Sequence, residues 1–177
     1  MALKIFKANI NKSLITWKGK KITGSHTGTI GLYGGKLEVE NGNIVSGSFD
    51  IDTRSITITD IGDPKTKEQF SSHLFSDDFF AVDKYPSSNY TIINATLLGG
   101  NIYRIDGLLT IKGITHSLSF DASVNLSENV VSATGEITID RTKYGMKFGS
   151  GNFFRGLGDS LIYNDFTLDL SLVAILN

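Results

Sequence analysis

His26, His73 and His116 are the only imidazoles in the chain. Three imidazoles around one open position would make a catalytic zinc site. These three fall on separate predicted elements, and none has the i,i+2 or i,i+4 partner that places two ligands on one face. Each is read as an isolated, hydrogen-bonded surface or pocket residue, and no metal is expected. Nucleophile signatures are poor. Gly149-Ser150-Gly151 is not a G-x-S-x-G elbow, and Gly62-Asp63-Pro64-Lys65-Thr66 lacks the glycines of a phosphate loop. The chain has no cysteine, which excludes disulfides, thiolate nucleophiles, Fe–S clusters and thiolate-bound zinc.

Two clusters stand out instead. Arg141, Lys143 and Lys147 put three cations in seven residues. They read either as an exposed loop or as a rim that meets an anionic or polar ligand head. Phe70, Phe75, Phe79, Phe80 and Tyr85 crowd one irregular segment, and Tyr144, Phe148, Phe153 and Phe154 crowd another. Aromatics this dense in loops either plug the ends of a core or line the mouth of an apolar cavity. Asp77, Asp78 and Asp83 read as a solvated loop and a helix cap.

The elements that position these residues read as β-structure. The 177 residues suit one domain, 1–177, and carry 19 Gly against 2 Pro. Seventeen basic against 18 acidic residues leave no general basic field for a nucleic-acid backbone. Alternating stretches recur between turn dipeptides, the pattern of antiparallel sheet. Asn41-Gly42 predicts a two-residue type I′ hairpin. Further turns are expected at Gly99-Gly100-Asn101, at Lys112-Gly113 and near Glu128-Asn129. Strands are read at Leu14–Lys18, Thr27–Leu32 and Gly47–Ile61, the last bending at Asp52-Thr53-Arg54. Gly107, inside a strand pattern, predicts a bulge or sharp bend. Along Asp165–Ala174, Phe166, Leu168, Leu170 and Leu172 alternate with polar residues, so one face is buried. A short helix is predicted near residues 66–75, and Arg141–Asn164 is a long loop of the functional or Ω type. About eight strands with short turns either close on themselves or form a sandwich.

The longest near-apolar run, Phe166–Leu176, is interrupted by Thr167, Asp169 and Ser171, far short of the ~20 residues of a spanning helix. Lys4 and Lys7 sit inside the only N-terminal apolar stretch, so no secretory signal is read there. The expected compartment is the cytoplasm as the chain stands, or the periplasm for a mature form.

The run His73–Pro86 (HLFSDDFFAVDKYP) resembles the HLxSxDFFxxxKYP signature of the YceI-like proteins. Gly107–Thr115 (GLLTIKGIT) and Ile139–Gly145 (IDRTKYG) are similar to two further family segments, in the same order. The likeness runs from about residue 13 to the end. It implies an all-β, eight-stranded antiparallel, lipocalin-like barrel around a long apolar channel. It also implies a polyisoprenoid, isoprenoid quinone or related long-chain lipid as ligand, and pairing as a homodimer. The chain departs from the pattern at its N-terminal end. Lys12-Ser13 and Gly19-Lys20-Lys21 stand where many members carry an H-S pair and a further His, and Trp17–Gly28 reads as a subgroup variant.

The expected function is a carrier or store for a long apolar lipid, isoprenoid or fatty, with no catalysis and no cofactor. Expected lining residues are Trp17 and Phe49 on early strands, Phe75 and Phe79 near the helix, and Tyr90, Leu109, Ile111 and Phe120 on the central strands. Tyr144, Phe148 and Phe153 are expected from the long loop. His73, His116 and Arg141 are the expected head-group contacts. Two alternatives stay open: a lipid-modifying enzyme with a cavity histidine as acid or base, and a stress-related barrel filled by its own side chains.

Overall fold

The fold is described by a computed structural model covering residues 2–177. Nine strands appear in chain order: β1 Leu3–Ala8, β2 Leu14–Lys21, β3 Gly24–Glu40, β4 Asn43–Asp52, β5 Ser87–Gly99, β6 Ile102–Ile111, β7 Ile114–Leu126, β8 Val130–Asp140 and β9 Ile162–Leu176. One helix, α1, spans Pro64–Phe75.

The nine strands make eight staves. β1 pairs with the end of β3 (Phe6 with Leu37) and the end of β9 (Ala8 with Ala174). β2 pairs with the start of β3 (Trp17 with Gly28) and the start of β9 (Trp17 with Leu168). Both run antiparallel to the same neighbours, so they form one stave broken at residues 9–13. The break is patched where Asn9 N–H donates to the Val173 carbonyl and Val173 N–H donates to Ser13 Oγ. Consecutive antiparallel pairings from β3 to β9 complete the circuit, giving a closed eight-stranded antiparallel barrel with no free long edge.

Local chemistry sets the turns. Asn41 and Gly42 have φ of 54° and 77°, the two positive angles of a type I′ hairpin. Lys112 and Gly113 repeat the arrangement at 54° and 73°. The bend expected after β4 is a 3₁₀ turn, Thr53–Ser55, where the Asp52 side chain accepts from Arg54 N–H at 3.0 Å. The chain then resumes along β3: Thr57 and Thr59 N–H donate to the Thr29 and Thr27 carbonyls. Here Gly28 is required by close approach, since a Cβ on it would lie 1.7 Å from the Thr57 oxygen. Opposite Gly107 the register slips between Ile92 and Asn94, and the Tyr90 ring fills the space that a Cβ at 107 would take.

Several boundaries differ from the sequence reading. β1 was not expected, because only Phe6 in it is deeply buried and its partners lie far away in sequence. β3 runs on past the expected Thr27–Leu32 strand, since a bulge at Tyr33 absorbs the Tyr33-Gly34-Gly35 interruption. α1 starts at Pro64, with Asp63 capping it by accepting from Thr66 N–H at 3.1 Å. Proline suits that first position because its missing N–H would have no partner there.

Candidate functional site: an apolar cavity along the barrel axis

Away from the bulges, alternate residues of the strands face the interior. Ile15 and Trp17, Tyr90 and Ile92, Leu118 and Phe120, Ile137 and Ile139, and Phe166, Leu168, Leu170 and Leu172 all point inside. One end of the barrel is shut by its own side chains. Phe6, Val39, Tyr103, Val131 and Ala174 are all buried there and form a floor. The interior above the floor is not filled. A cavity of about 450 Å³ occupies the other end. A second, of about 120 Å³, lies between it and the floor. Ile15, Ile51, Leu109, Ile139 and Leu168 border both, so the two are consecutive stretches of one apolar path. The lining on β9 runs from Ile162 to Leu172. Ten residue-to-residue steps of ~3.3 Å, tilted ~35–45°, span about 25 Å of barrel axis.

α1 and the segment between β8 and β9 frame the mouth. Phe70, His73 and Leu74 fall at i, i+3 and i+4, one face of the helix, and all three line the large cavity. The Phe70 ring lies nearly parallel to Trp17 at 6.4 Å and edge-on to His26 at 4.9 Å. The Trp17 indole N–H donates to the Thr57 carbonyl at 2.9 Å, which fixes the ring against the wall. His73 stands between Phe79 and Phe148, edge-on to both at 4.9 and 4.5 Å, and its Nε2 lies 3.0 Å from Asp78.

Arg141 is the one deeply buried cation among the described residues, at 4% exposure. Its N–H groups donate to three backbone carbonyls: Nε to Tyr163 at 3.1 Å, Nη1 to Met146 at 2.6 Å and Nη2 to Ile162 at 3.1 Å. Burial pulls its pKa down, and the nearby Asp140 opposes this. These bonds tie the start of the β8–β9 segment to its end, so Arg141 also braces the mouth.

The fourteen residues singled out in the sequence separate by level. Trp17, His73, Phe79, Ile111, Arg141 and Phe148 line the large cavity. Phe49, Tyr90 and Phe120 line the deeper one, and Leu109 borders both. Four lie on neither wall. Phe75 closes the helix C-terminus and packs on the core. Tyr144 is buried under the 3₁₀ turn Arg141–Tyr144. His116 has inward parity but sits beyond the rim, with Nε2 2.9 Å from the Lys143 carbonyl and its ring edge-on to Tyr144. Phe153 faces outward, half exposed, under the Lys147 ammonium at 4.7 Å.

Sequence reasoning also missed wall residues. Lys20, Lys21 and His26 reach the large cavity from β2 and β3, Met146 from the β8–β9 segment and Tyr163 from the start of β9. The alternation of Phe166 and Leu168 was visible, but it marks a buried face without telling a solid core from a hollow one.

No curated protein sequence matches the chain. Solved structures do. The crystal structure of BcnA from Burkholderia cenocepacia superposes with a TM-score of 0.75 at 20% identity, covering 94% of this chain and 98% of that one. A structure described as a polyisoprenoid binding domain from Saccharophagus degradans, implicated in plant cell wall breakdown, gives 0.70 at 14% identity, covering 97% and 98%. The Campylobacter jejuni YCEI protein gives 0.58 at 17% identity, covering 76% and 74%. At these identities the likeness is one of fold. The sequence pattern of the YceI-like domain matches residues 6–174, nearly the whole barrel, and the chain therefore belongs to the YceI-like family.

Proposed function

We propose that this protein holds the tail of a long-chain apolar lipid inside its barrel, as a carrier or store. A polyisoprenoid or isoprenoid quinone is the favoured class. The observation that carries the reading is the apolar path from the open mouth to the floor formed by Phe6, Val131 and Ala174. The larger cavity alone, about 450 Å³, has the size of a small-molecule site. At about 0.8 kcal/mol per buried CH₂, each five-carbon unit contributes roughly 3–4 kcal/mol before ordering costs. Several units offset the ~4–15 kcal/mol lost on association. Depth then selects tail length. The polyisoprenoid-binding relative supports the class of cargo.

The head would sit at the mouth, near Arg141. A guanidinium has five N–H donors. Three bonds to carbonyls leave two, one on each terminal nitrogen, for an oxygen of the cargo. Mass spectrometry of an organic extract of the purified protein tests the reading. A stoichiometric isoprenoid or fatty chain supports it. No co-purified lipid, together with no uptake of added quinone or polyprenol, rejects it.

A second reading draws on the His73–Asp78 pair, in which an imidazole on the cavity wall lies 3.0 Å from an exposed carboxylate behind it. Such a couple can move a proton on a bound lipid. If it does, His73→Gln abolishes conversion of a bound lipid while uptake persists. If the protein only carries, the extracted lipid is chemically the same with either residue.

A further inference from the structure

The mouth carries more than an opening. Two chain segments form one side of it, joined where Ile22 N–H donates to the Leu161 carbonyl at 3.2 Å. Residues 14–25 contain Lys18, Lys20 and Lys21 with no Asp or Glu, and residues 141–161 contain Arg141, Lys143, Lys147 and Arg155 against Asp159 alone. The chain as a whole carries a net charge of −1, so this side of the rim is a local excess of positive charge. Asp140 and Asp165 flank the base of the β8–β9 segment, and other carboxylates near the mouth are already partnered. Asp60 faces His26, Asp78 faces His73, and Asp77 faces Lys84.

The same basic side exposes large apolar groups. Ile22, Phe148, Phe153 and Phe154 are 43–50% exposed. Three of these are aromatics within seven residues of one loop, where a protein bathed only in water gains nothing by showing them. The Lys147 ammonium lies over the Phe153 ring, so cation and apolar face share one surface. Apolar tips among flexible cations match a layer whose surface is anionic and whose interior is hydrocarbon.

We infer that this basic, aromatic side of the mouth docks on an anionic lipid bilayer, with Ile22, Phe153 and Phe154 entering the headgroup layer and Lys147 and Arg155 meeting lipid phosphates. Docking this way sets the open end of the barrel against the hydrocarbon, so an apolar tail can cross without meeting water. The surface goes beyond the cargo reading and is testable without any cargo.

The test is sedimentation of the full chain with vesicles of phosphatidylcholine alone, and of phosphatidylcholine with roughly one lipid in three replaced by phosphatidylglycerol. Binding is expected to the anionic vesicles only, and to fall as salt rises. Lys147→Gln with Arg155→Gln removes two cations, which weakens vesicle binding about thirtyfold. Ile22→Ser with Phe154→Ser removes two apolar tips and weakens it by about tenfold or more. Lys4→Gln with Lys7→Gln makes the same charge change on β1 at the floor end, more than a Debye length (~10 Å at 0.1 M) from the rim, and leaves binding unchanged. None of these six residues lines either cavity. The inference is overturned by equal binding to both kinds of vesicle, by no binding to either, or by equal losses from the rim and floor pairs. It is also overturned if both rim pairs bind like the wild type. Vesicle binding by a chain that yields no extracted lipid would sink the cargo reading and leave the docking surface standing.

Discussion

The guanidinium carbon of Arg141 lies 5.7 Å from the centre of the Phe79 ring, on the wall of the larger cavity. An aromatic face and three carbonyls thus surround a buried charge that no carboxylate among the described residues pairs. Carbonyls and a ring face attract a cation but do not neutralise it. The cation therefore remains available to an electron-rich group entering from the mouth, while its rigid fork fixes the segment that shapes that mouth.

Arg141→Ala should have two separable effects. Three carbonyls lose a charged donor, so the fold weakens by about 2–4 kcal/mol, read as a lower urea midpoint. Lipids with a charged or oxygen-rich head should lose far more affinity than a bare hydrocarbon. Arg141→Lys keeps the charge without the fork and should recover little of either. Equal weakening for headed and headless lipids would remove Arg141 from the head-group role and leave it as a brace.

Gly28→Ala should be among the most damaging single-methyl changes in the chain. Its new Cβ meets backbone oxygen 1.7 Å away, and that oxygen also holds the Trp17 indole. The strip carrying Ile56 and Ile58 must then part from β3 and the Trp17 ring loses its anchor, at a cost of roughly 3 kcal/mol or more. Gly34→Ala is the control: a Cβ there meets nothing within 4 Å. Thermal unfolding of the two variants should differ widely. Similar melting temperatures would mean that the 56–60 strip gives way cheaply.

These two residues also show what could be read ahead of the coordinates. Arg141 was visible because it sits in a motif of charged and aromatic residues. Gly28 looked like any other glycine in a glycine-rich chain, because its role depends on a strip that returns 29 positions later. The barrel was legible because alternation and turn dipeptides are local, and Asn41-Gly42 alone dictates a hairpin. β1 was not, since its pairing partners lie beyond residue 35 and at the far terminus. Tyr90, Leu109 and Phe120 do border the interior, but alternation alone does not say which face is inside, since a one-residue slip exchanges the two. Height along the axis was not legible either, and height separates His116 and Tyr144, off the walls, from Ile111 and Arg141, which line the cavity.

Alkaline pH should destabilise the protein through its buried tyrosines. Burial pushes the Tyr90 phenol well above its ordinary value, helped by Asp106, and burial likewise raises Tyr144. A raised folded pKa means that the neutral phenol is favoured in the fold. Its stabilisation is therefore fully present below the unfolded value of ~10 and declines as pH rises towards the folded one. Urea midpoints should hold steady up to about pH 9 and then fall. Tyr90→Phe should flatten that fall. It should also cost about 1 kcal/mol at neutral pH, because the phenol donates to the Leu118 carbonyl at 2.8 Å. An unchanged alkaline limb in the variant would show that Tyr90 is not the group being titrated.

Leu168→Trp tests whether the two cavities work as one channel. Leu168 borders both, at the level where Ile15, Leu109 and Ile139 also converge. A larger side chain there fills space that is already empty, so the usual overpacking penalty of about 1–3 kcal/mol should be largely absent. Tails that end in the larger cavity should still bind. Tails long enough to need the deeper one should lose affinity steeply, by about 0.8 kcal/mol for each CH₂ kept out. A titration series of polyprenols of increasing length would show the wild-type gain with length stopping earlier in the variant. Parallel curves for the two proteins would mean that the tail never passes this constriction and that the deeper space is packing slack.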